Sequence, residues 1–185
     1  MARLARQNRN VLVVLAGLPG TGKTTVARLV AAELRAAHIR IDSIDAALLR
    51  AGAAGGARHG IGVYGAAQAV AEDTLRAGTP VVADAVNAIQ VARDAWSNVA
   101  ARAGAPVCFV ELVCSDPAEH RRRVEGRASD LEGLPRLSWA DVEARPYDPW
   151  QDGRLVVDTA SADASACASQ VLEYLGSDRV GRTAI

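Results

Sequence analysis

Short apolar runs alternate with amphipathic stretches along almost the whole chain. The apolar runs predict five strands, at 11–16, 39–44, 81–85, 107–113 and 154–158. The stretches with helical period predict helices at 23–37, 64–77, 91–103, 117–126, 138–145 and 162–175. Continuously apolar strands separated by helices are typical of a mostly parallel sheet that is covered on both faces. The sequence therefore predicts a single α/β domain whose core runs from about residue 11 to 175.

Two segments interrupt this alternation. Residues 51–62 contain five glycines in twelve positions, which is too many for a stable helix and predicts a mobile loop on the acceptor side. The polar residues from about 127 to 137 follow an arginine-rich helix, so we expect a short lid there. His59 is interpreted as a solvated loop residue, whereas Trp139 and Trp150 are expected to fix the helix that follows the lid.

The segment after the first predicted strand reads Gly-Leu-Pro-Gly-Thr-Gly-Lys-Thr. It fits the phosphate-binding pattern G-x-x-x-x-G-K-[ST] at every fixed position, and it lies between a strand and a helix as that pattern requires. The glycines let successive amide groups turn toward a phosphate, and Lys23, the single lysine of the chain, supplies a compact positive charge. The predicted nucleotide-binding residues are Gly17, Leu18, Pro19, Gly20, Thr21, Gly22, Lys23, Thr24 and Thr25.

A carboxylate, Asp84, ends the third predicted strand. In proteins with such a loop, an acid at this position holds Mg²⁺ opposite the hydroxyl of the loop threonine, which is Thr24 here. The alternative is that Asp84 caps the following helix. Asn87, three residues further on, is expected in the metal shell or in contact with the acceptor.

Asp45 follows the second predicted strand. A carboxylate there would face the terminal phosphate from the acceptor side and would take the proton from an attacking hydroxyl. The alternative is a cap for a helix that begins at Ala46. Asp42 is interpreted as an ordinary strand residue, and Arg50 is expected to contact the acceptor.

Arg123 and Arg127 are four residues apart, so they share the face of their predicted helix that points into the lid. Arginines from a lid can neutralise the charge that spreads over a phosphoryl group during its transfer. The alternative is an exposed, solvated helix face. Asp158 and Thr159, at the end of the fifth predicted strand, are expected to border the adenine of a nucleotide.

Composition limits the partners and the setting of the protein. With 185 residues, half of them hydrophobic, the chain suits one domain. The formal net charge is zero and no basic run stands out, which argues against an extended nucleic-acid partner. The three cysteines lack the spacing of metal ligands, so we interpret them as reduced thiols of a cytoplasmic protein. No predicted segment is long enough to span a membrane.

Together these motifs resemble those of the small P-loop kinases, a group that includes gluconate kinases, adenylylsulfate kinases, chloramphenicol phosphotransferases and the kinase-like zeta toxins. The resemblance rests on GLPGTGKTT, the acid after the second strand, VVADAVN, SDPAEHRRRVEGR and RLVVDTA. It implies a nucleoside-monophosphate-kinase-like P-loop fold with strand order 2-3-1-4-5, ATP with Mg²⁺, and transfer of the γ-phosphoryl group to a small acceptor. By this likeness Lys23 and Thr24 match the loop residues, Asp45 the acceptor-side carboxylate, and Arg123 with Arg127 the lid arginines.

The sequence departs from one member of this group. Adenylylsulfate kinases place an arginine three residues after the acceptor-side aspartate, whereas Leu48 occupies that offset from Asp45.

The hypothesis that the sequence supports is an ATP-dependent kinase that acts on a hydroxyl of a small molecule. Two alternatives stay open: a kinase for a larger acceptor, such as a nucleic-acid end or a nucleotide sugar, and a nucleotide-binding switch with little transferase activity.

Overall fold

The computed structural model describes residues 10–126, 131–151 and 153–177, in which five strands alternate with helices. The strands are β1 (Leu12–Ala16), β2 (Ala37–Arg40), β3 (Val81–Asp84), β4 (Val107–Val113) and β5 (Leu155–Asp158). The helices are α1 (Lys23–Leu34), α2 (Ile41–Arg50), α3 (Ala57–Arg76), α4 (Gln90–Ala103), α5 (Pro117–Gly126), α6 (Trp139–Glu143) and α7 (Ala164–Gly176). None of the helices in these ranges is both long enough and apolar enough to cross a membrane.

The five strands form one parallel sheet with the order β2-β3-β1-β4-β5. The central strand β1 has no exposed residue, because β3 and β4 flank it and helices cover both faces of the sheet. Helices α1 and α7 pack together on one face, and α3 and α4 pack together on the other. The α/β fold and the strand order expected from the sequence are confirmed.

The second strand lies earlier in the chain than the apolar pattern predicts. Instead of 39–44 it spans Ala37–Arg40, and residues 41–50 form α2. Its partner β3 is only four residues long and pairs with Ala37 through Arg40, so residues beyond Arg40 have no neighbouring strand to join. Ile41 therefore begins a helix, although its alternation with Ile39 has the period of a strand.

The glycine-rich segment is also partly helical, which corrects the prediction of a loop over 51–62. Helix α3 begins at Ala57, so residues 57–62 form its first turns. Further along this helix, Val63, Ala67 and Ala71 are buried at four-residue spacing in the core. Tertiary packing of this face outweighs the cost of about 1 kcal/mol that each glycine imposes on a helix. The other predicted strands and helices are confirmed to within a few residues.

Candidate functional site

The loop between β1 and α1 requires glycine at its first position. Gly17 has a φ of 136°, and a Cβ on it would lie 2.2 Å from the carbonyl oxygen of Leu112 in β4. Its amide donates a hydrogen bond of 3.1 Å to the carbonyl of Val86. Any larger residue would push β4 away from the end of β1. The glycine therefore seats the loop against the carboxyl ends of the central strands.

Helix α5 packs over the middle of the same loop. A Cβ on Gly20, where φ is 86°, would lie 2.6 Å from Cγ2 of Val124. The buried ring of His120 places Nε2 2.8 Å from the carbonyl oxygen of Pro19. Because a carbonyl oxygen only accepts, Nε2 carries the hydrogen and donates it. Helix α5 therefore braces the loop at two consecutive residues, although more than a hundred residues of chain separate them.

The ammonium group of Lys23 is folded back into the loop. Lys23 is the first residue of α1 and is 9% exposed. Its Nζ donates to the carbonyl of Leu18 at 2.8 Å, and the hydroxyl of Thr21 donates to the same carbonyl at 2.9 Å. The helix starts directly after Gly22, so its N-terminal amides face the same space as this charge. A positive charge and a helix N-terminus that converge in this way favour a phosphate group.

A buried carboxylate lies at the end of β3, the strand next to β1. Asp84 ends β3, pairs in register with Leu15 of β1, and is 3% exposed. Burial alone would raise the pKa of its carboxyl, but the hydrogen bond with His38, the charge of Lys23 and the hydroxyl of Thr24 together hold that pKa below its usual value. Nε2 of His38 lies 3.3 Å from Oδ2 of Asp84. The carboxylate therefore stays ionised in a buried position.

The oxygen atoms at this position fit a hard cation. The hydroxyl of Thr24 and the carboxylate of Asp84 are ligand types that Mg²⁺ accepts together with phosphate and water oxygens. Within the described ranges, no three His, Cys, Asp or Glu side chains cluster to form a complete metal site. A magnesium ion here would therefore depend on a bound nucleotide for further ligands.

Asp42 is the first carboxylate after β2. Because β2 ends at Arg40, which is in register with Asp84, Asp42 lies in the first turn of α2 and Asp45 one turn later. The interpretation of Asp42 as an ordinary strand residue is therefore wrong. The side chain of Asp42 is 46% exposed, with Oδ2 4.0 Å from Nη2 of Arg40. Asp42 is therefore the carboxylate directly beyond the second strand, while the role of Asp45 toward an acceptor stays a prediction.

Asp45 is paired with a histidine from the next helix. Nε2 of His59, near the start of α3, lies 2.6 Å from Oδ1 of Asp45. The side chain of His59 is 10% exposed and that of Asp45 is 32% exposed. The interpretation of His59 as a solvated loop residue is wrong, because the segment that contains it is helical and packs on α2.

Asn87 is a buried residue that joins several parts of the fold. It has a φ of 47° and no exposed surface. Its Nδ2 donates to the carbonyl of Leu15 at 2.7 Å, and its Oδ1 accepts from Nε1 of Trp96 at 3.0 Å. Its backbone amide lies 3.4 Å from the hydroxyl of Tyr64. Both ends of the side-chain amide are therefore hydrogen-bonded within the fold, while contact of Asn87 with a metal shell or an acceptor stays a prediction.

The hydroxyl of Tyr64 is close enough to Asp42 and Asp84 for both charges to affect it. Burial raises the pKa of Tyr64 above its usual value, and the charges of Asp42 and Asp84 raise it further, whereas the charge of Arg145 opposes them. The charges of Asp42, Asp84 and Arg145 therefore all reach Tyr64, near the carboxyl ends of β2 and β3. The sequence did not single out Tyr64 or Arg145, because neither belongs to a local motif.

Arg123 links α5 to the end of β5. Its guanidinium donates two hydrogen bonds of 2.9 Å to Thr159, one to the hydroxyl and one to the carbonyl oxygen. Nε of Arg123 also donates to Glu119 at 2.7 Å. The role of Arg123 toward a phosphoryl group stays a prediction. Arg127 lies outside the described residues.

Asp158 is held by the segment that follows β4. Its Oδ1 accepts from the amides of Ser115 and Ala160, both at 3.0 Å, and its Oδ2 accepts from the Ser115 hydroxyl. These hydrogen bonds hold the pKa of the Asp158 carboxyl below its usual value, with the Ser115 hydroxyl as the largest influence. The methyl group of Thr159 lies 3.8 Å from the position of a Cβ on Gly22. Thr159 therefore adjoins the phosphate loop, while contact of either residue with adenine stays a prediction.

The described part of the expected lid rests against α2 and α5. Arg50 of α2 donates to the carbonyl of Glu132 at 3.0 Å, and a Cβ on Gly133 would lie 3.4 Å from Cγ of Arg50. Arg136 donates to the carbonyl of Glu125 at 2.6 Å. Arg50 therefore connects α2 to the lid segment, and its expected contact with the acceptor stays a prediction.

Two tryptophans fix the chain on either side of the turn after α6. The ring of Trp139 packs edge-on against His120, with centroids 5.0 Å apart. The guanidinium carbon of the fully buried Arg93 lies 4.2 Å from the ring centroid of Trp150. Arg93 also donates to the carbonyl of Asp148 at 2.8 Å. The interpretation of Trp139 and Trp150 as fixing residues is confirmed, and Arg93 is the partner that the sequence did not reveal.

The protein has a phosphate loop, a helix that starts from this loop, and a buried carboxylate at the end of the strand next to β1. In a parallel sheet of this strand order, these features define a P-loop protein with a kinase-like fold. The family profile AAA_33, described as an AAA domain, matches residues 12–147. Because this match spans well over half of the chain, the chain belongs to that family. No curated protein sequence matches the chain.

Three solved structures illustrate the shared fold. The Mycobacterium tuberculosis APS kinase CysC in complex with AMPPNP and APS has a TM-score of 0.71 at 21% identity, over 92% of this chain and 99% of that chain. The Chaetomium thermophilum Kti12 in complex with ADP-AlF3 has a TM-score of 0.67 at 22% identity, over 89% and 96%. A gluconokinase from Sinorhizobium meliloti 1021 has a TM-score of 0.61 at 17% identity, over 91% and 93%. The resemblance to small P-loop kinases is thereby confirmed at the level of the fold.

Proposed function

We propose that the protein is an ATP-dependent phosphotransferase that moves the γ-phosphoryl group of MgATP to a hydroxyl of a small molecule. The observation that carries this proposal is the convergence of three side chains at the ends of β1 and β3. Lys23 and Thr24 begin the helix after the phosphate loop, and both act on the buried carboxylate of Asp84. A cation, a hydroxyl and an ionised carboxylate in one place suit a nucleotide phosphate with its metal ion.

The loop would bind the phosphate chain of ATP through its backbone amides, through the N-terminus of α1 and through Lys23. A contact between unit charges at about 4 Å is worth about 4 kcal/mol at an effective dielectric constant near 20. A bound Mg²⁺, held through Thr24 and Asp84, would draw charge from the transferred group. The proposed adenine contacts remain Asp158 and Thr159.

The acceptor would lie beyond β2 and β3, near Asp42, Tyr64 and Arg145. We assign the general base to Asp42, because it occupies the first turn of the helix that follows β2, and the last residue of β2 is in register with Asp84. Its carboxylate would take the proton of the acceptor hydroxyl while the new O–P bond forms, and ADP would leave with the electron pair of the broken bond. Proton transfer of this kind typically contributes about 10²- to 10⁴-fold to the rate.

Asp45 would then bind the acceptor rather than deprotonate it, because one of its oxygens is already occupied by His59. Lys23 would stabilise the charge on the phosphoryl group in flight, and we propose that Arg123 and Arg127 add to this effect. The lid segment, through Arg50 and Glu132, would close this side of the site and exclude water.

The single lysine allows a direct test of nucleotide binding. An amine-selective reagent can modify only Lys23 and the N-terminal amine. Because Lys23 is 9% exposed, the reaction is continued until both sites are modified in the nucleotide-free protein, and saturating MgATP should then protect Lys23 in a mass-spectrometric assay. The variant Lys23→Arg, which keeps the charge and removes the amine, is the matched control and should show N-terminal modification alone. Equal modification of Lys23 with and without MgATP would contradict the proposed placement of the phosphates.

The transfer reaction needs a separate test. We would follow ADP release with a panel of sugars, polyols, amino alcohols and nucleosides, and compare the wild type with Asp42→Asn and Asp45→Asn. The proposal expects Asp42→Asn to lower kcat by about 10²-fold or more, and Asp45→Asn to act mainly on the KM for the acceptor. Protection of Lys23 by MgATP without ADP release from any compound would favour a nucleotide-binding switch instead.

A further inference from the structure

The pair formed by His59 and Asp45 joins two helices at the acceptor side of the proposed site. Nε2 of His59 lies 2.6 Å from Oδ1 of Asp45, and only a tenth of the histidine side chain is exposed. Because an ionised carboxylate only accepts, Nε2 is the donor in this bond. Hydrogen bonds to an ionised partner are among the stronger ones in proteins, so the pair constrains both side chains.

The start of α3 has few other attachments. Its N-cap residue, Gly56, has no side chain to cap the helix. Extra Cβ atoms on Gly60 and Gly62 would meet nothing within 4 Å, and Ile61 is 73% exposed. Within the described part of the chain, the bond to Asp45 is the one side-chain hydrogen bond made by residues 51–62. The position of these first turns therefore depends on His59.

Asp45 and Asp42 are three residues apart on α2, so their Cβ atoms are about 5–6 Å apart on one side of the helix. His59 uses Oδ1 of Asp45, and no hydrogen bond to Oδ2 is present among the described residues. The side chain of Asp45 is still 32% exposed. The free oxygen is therefore accessible from the side on which Asp42 would meet the reacting hydroxyl.

We infer that His59 is a positioning residue for acceptor binding. Its Nε2–H holds Oδ1 of Asp45, so that Oδ2 is presented to a second hydrogen-bond donor of the acceptor, close to the hydroxyl that Asp42 deprotonates. The inference rests on the proposed function and deepens it. The favoured acceptors are compounds that carry a further hydroxyl or amine within about 5–6 Å of the reacting hydroxyl, such as polyols or amino alcohols.

Kinetics of the variants His59→Ala and His59→Gln tests this inference. Glutamine is the conservative variant, because its side-chain amide can place a donor near the position of Nε2. With the panel compound that gives the fastest ADP release in the wild type, His59→Ala should raise the KM for that compound by about tenfold, with little change in kcat or in the KM for ATP. His59→Gln should recover most of this loss. If His59→Ala changes kcat and the KM for ATP as much as the KM for the acceptor, and glutamine recovers none of these losses, the inference is overturned.

A double-mutant cycle separates positioning from general damage. If His59 acts through Asp45, the variant with both His59→Ala and Asp45→Ala should be no worse than Asp45→Ala alone, because alanine removes the oxygen that accepts from His59. Effects that multiply would show independent action and would overturn the inference, while leaving the kinase proposal intact.

Hydrogen exchange tests the contact between His59 and Asp45 directly and needs no acceptor compound. Amides of residues 57–62 should exchange faster in His59→Ala and in Asp45→Ala than in the wild type, and at close to the wild-type rate in His59→Gln. Unchanged exchange in all three would overturn the inference directly. If the wild type releases ADP with no compound of the panel, the proposed function fails and the acceptor role of His59 fails with it.

Discussion

The guanidinium of Arg123 binds Thr159 through two parallel hydrogen bonds, one to the side chain and one to the backbone of the same residue. Both are 2.9 Å long and connect α5 to the residue that follows β5. Helix α5 also packs on the phosphate loop through Val124. Arg123 therefore helps to connect the helix that packs on the loop with the end of the edge strand β5.

Replacing Arg123 by alanine should lower the stability of the fold. Two hydrogen bonds to Thr159 are lost and the buried carbonyl is left unsatisfied, so we expect the free energy of unfolding to fall by about 1–2 kcal/mol in urea titrations. Arg121→Ala is the matched control, because Arg121 is 60% exposed and, among the described residues, forms a surface ion pair with Glu125. Its loss should be within about 0.5 kcal/mol. Equal stability of the two variants would contradict the structural role of Arg123.

Adding one methyl group at Gly20 should disturb the loop through α5. The new Cβ would lie 2.6 Å from Cγ2 of Val124 at a φ of 86°, so Gly20→Ala should cost about 2–4 kcal/mol from overpacking and backbone strain together. Gly22→Ala is the control for strain alone, because φ is 83° there and the nearest atom is 3.8 Å away. Val124→Ala in the Gly20→Ala background should recover part of the stability. No recovery would show that the contact does not limit this position.

Replacing Asn87 by aspartate distinguishes a structural from a ligand-binding role. The variant keeps an acceptor for Nε1 of Trp96 but places an oxygen against the carbonyl of Leu15 in a fully buried position. We expect a loss of about 3 kcal/mol or more in the free energy of unfolding. A variant of normal stability whose defect is confined to the KM of the acceptor would instead assign Asn87 to the acceptor site.

The Asp158 carboxylate should make stability depend on acid. Its folded pKa is below the usual value, because the Ser115 hydroxyl and two amides bind the ionised form. Such a group adds stability above its unfolded pKa, near 3.9, and this stability is lost as the pH falls through the folded pKa. The stability difference between the wild type and Asp158→Asn should therefore shrink from about pH 6 to about pH 3.

Chemical denaturation at several pH values measures this difference. Ser115→Ala, which removes the largest of the three influences and keeps the carboxylate, should show a smaller dependence of the same sign. A difference that stays constant across this range would mean that Asp158 titrates normally in the fold.

Local patterns in the sequence determine a large part of this fold. The segment from β1 through Lys23 is predictable because a buried strand, a glycine motif and a helix follow one another without long-range help. The boundary between β2 and α2 is not, because Ile39 and Ile41 alternate like a strand and only the short partner β3 ends the pairing at Arg40. Similarly, the glycines after Ala57 disfavour a helix locally, and the packing of Val63 and Ala67 reverses that preference.

The candidate site, like the fold, can be predicted from the sequence only in part. Lys23, Thr24 and Asp84 belong to local motifs, and both Lys23 and Thr24 lie close enough to the Asp84 carboxylate to lower its pKa. The partners of these motifs come from distant parts of the chain, as the contact of His38 with Asp84 does. Such contacts exist only after the sheet has assembled, so no spacing of residues along the chain announces them.

Since the chain has one lysine and it is 9% exposed inside the phosphate loop, amine chemistry is a poor handle on this molecule. Reductive methylation to promote crystal growth, or coupling to an amine-reactive sensor chip, would leave the outer surface almost unchanged apart from the N-terminus. Any slow reaction at Lys23 would alter the phosphate loop itself. Crystal engineering should begin instead from exposed arginines such as Arg122, which is 73% exposed and pairs with Glu119 of its own helix.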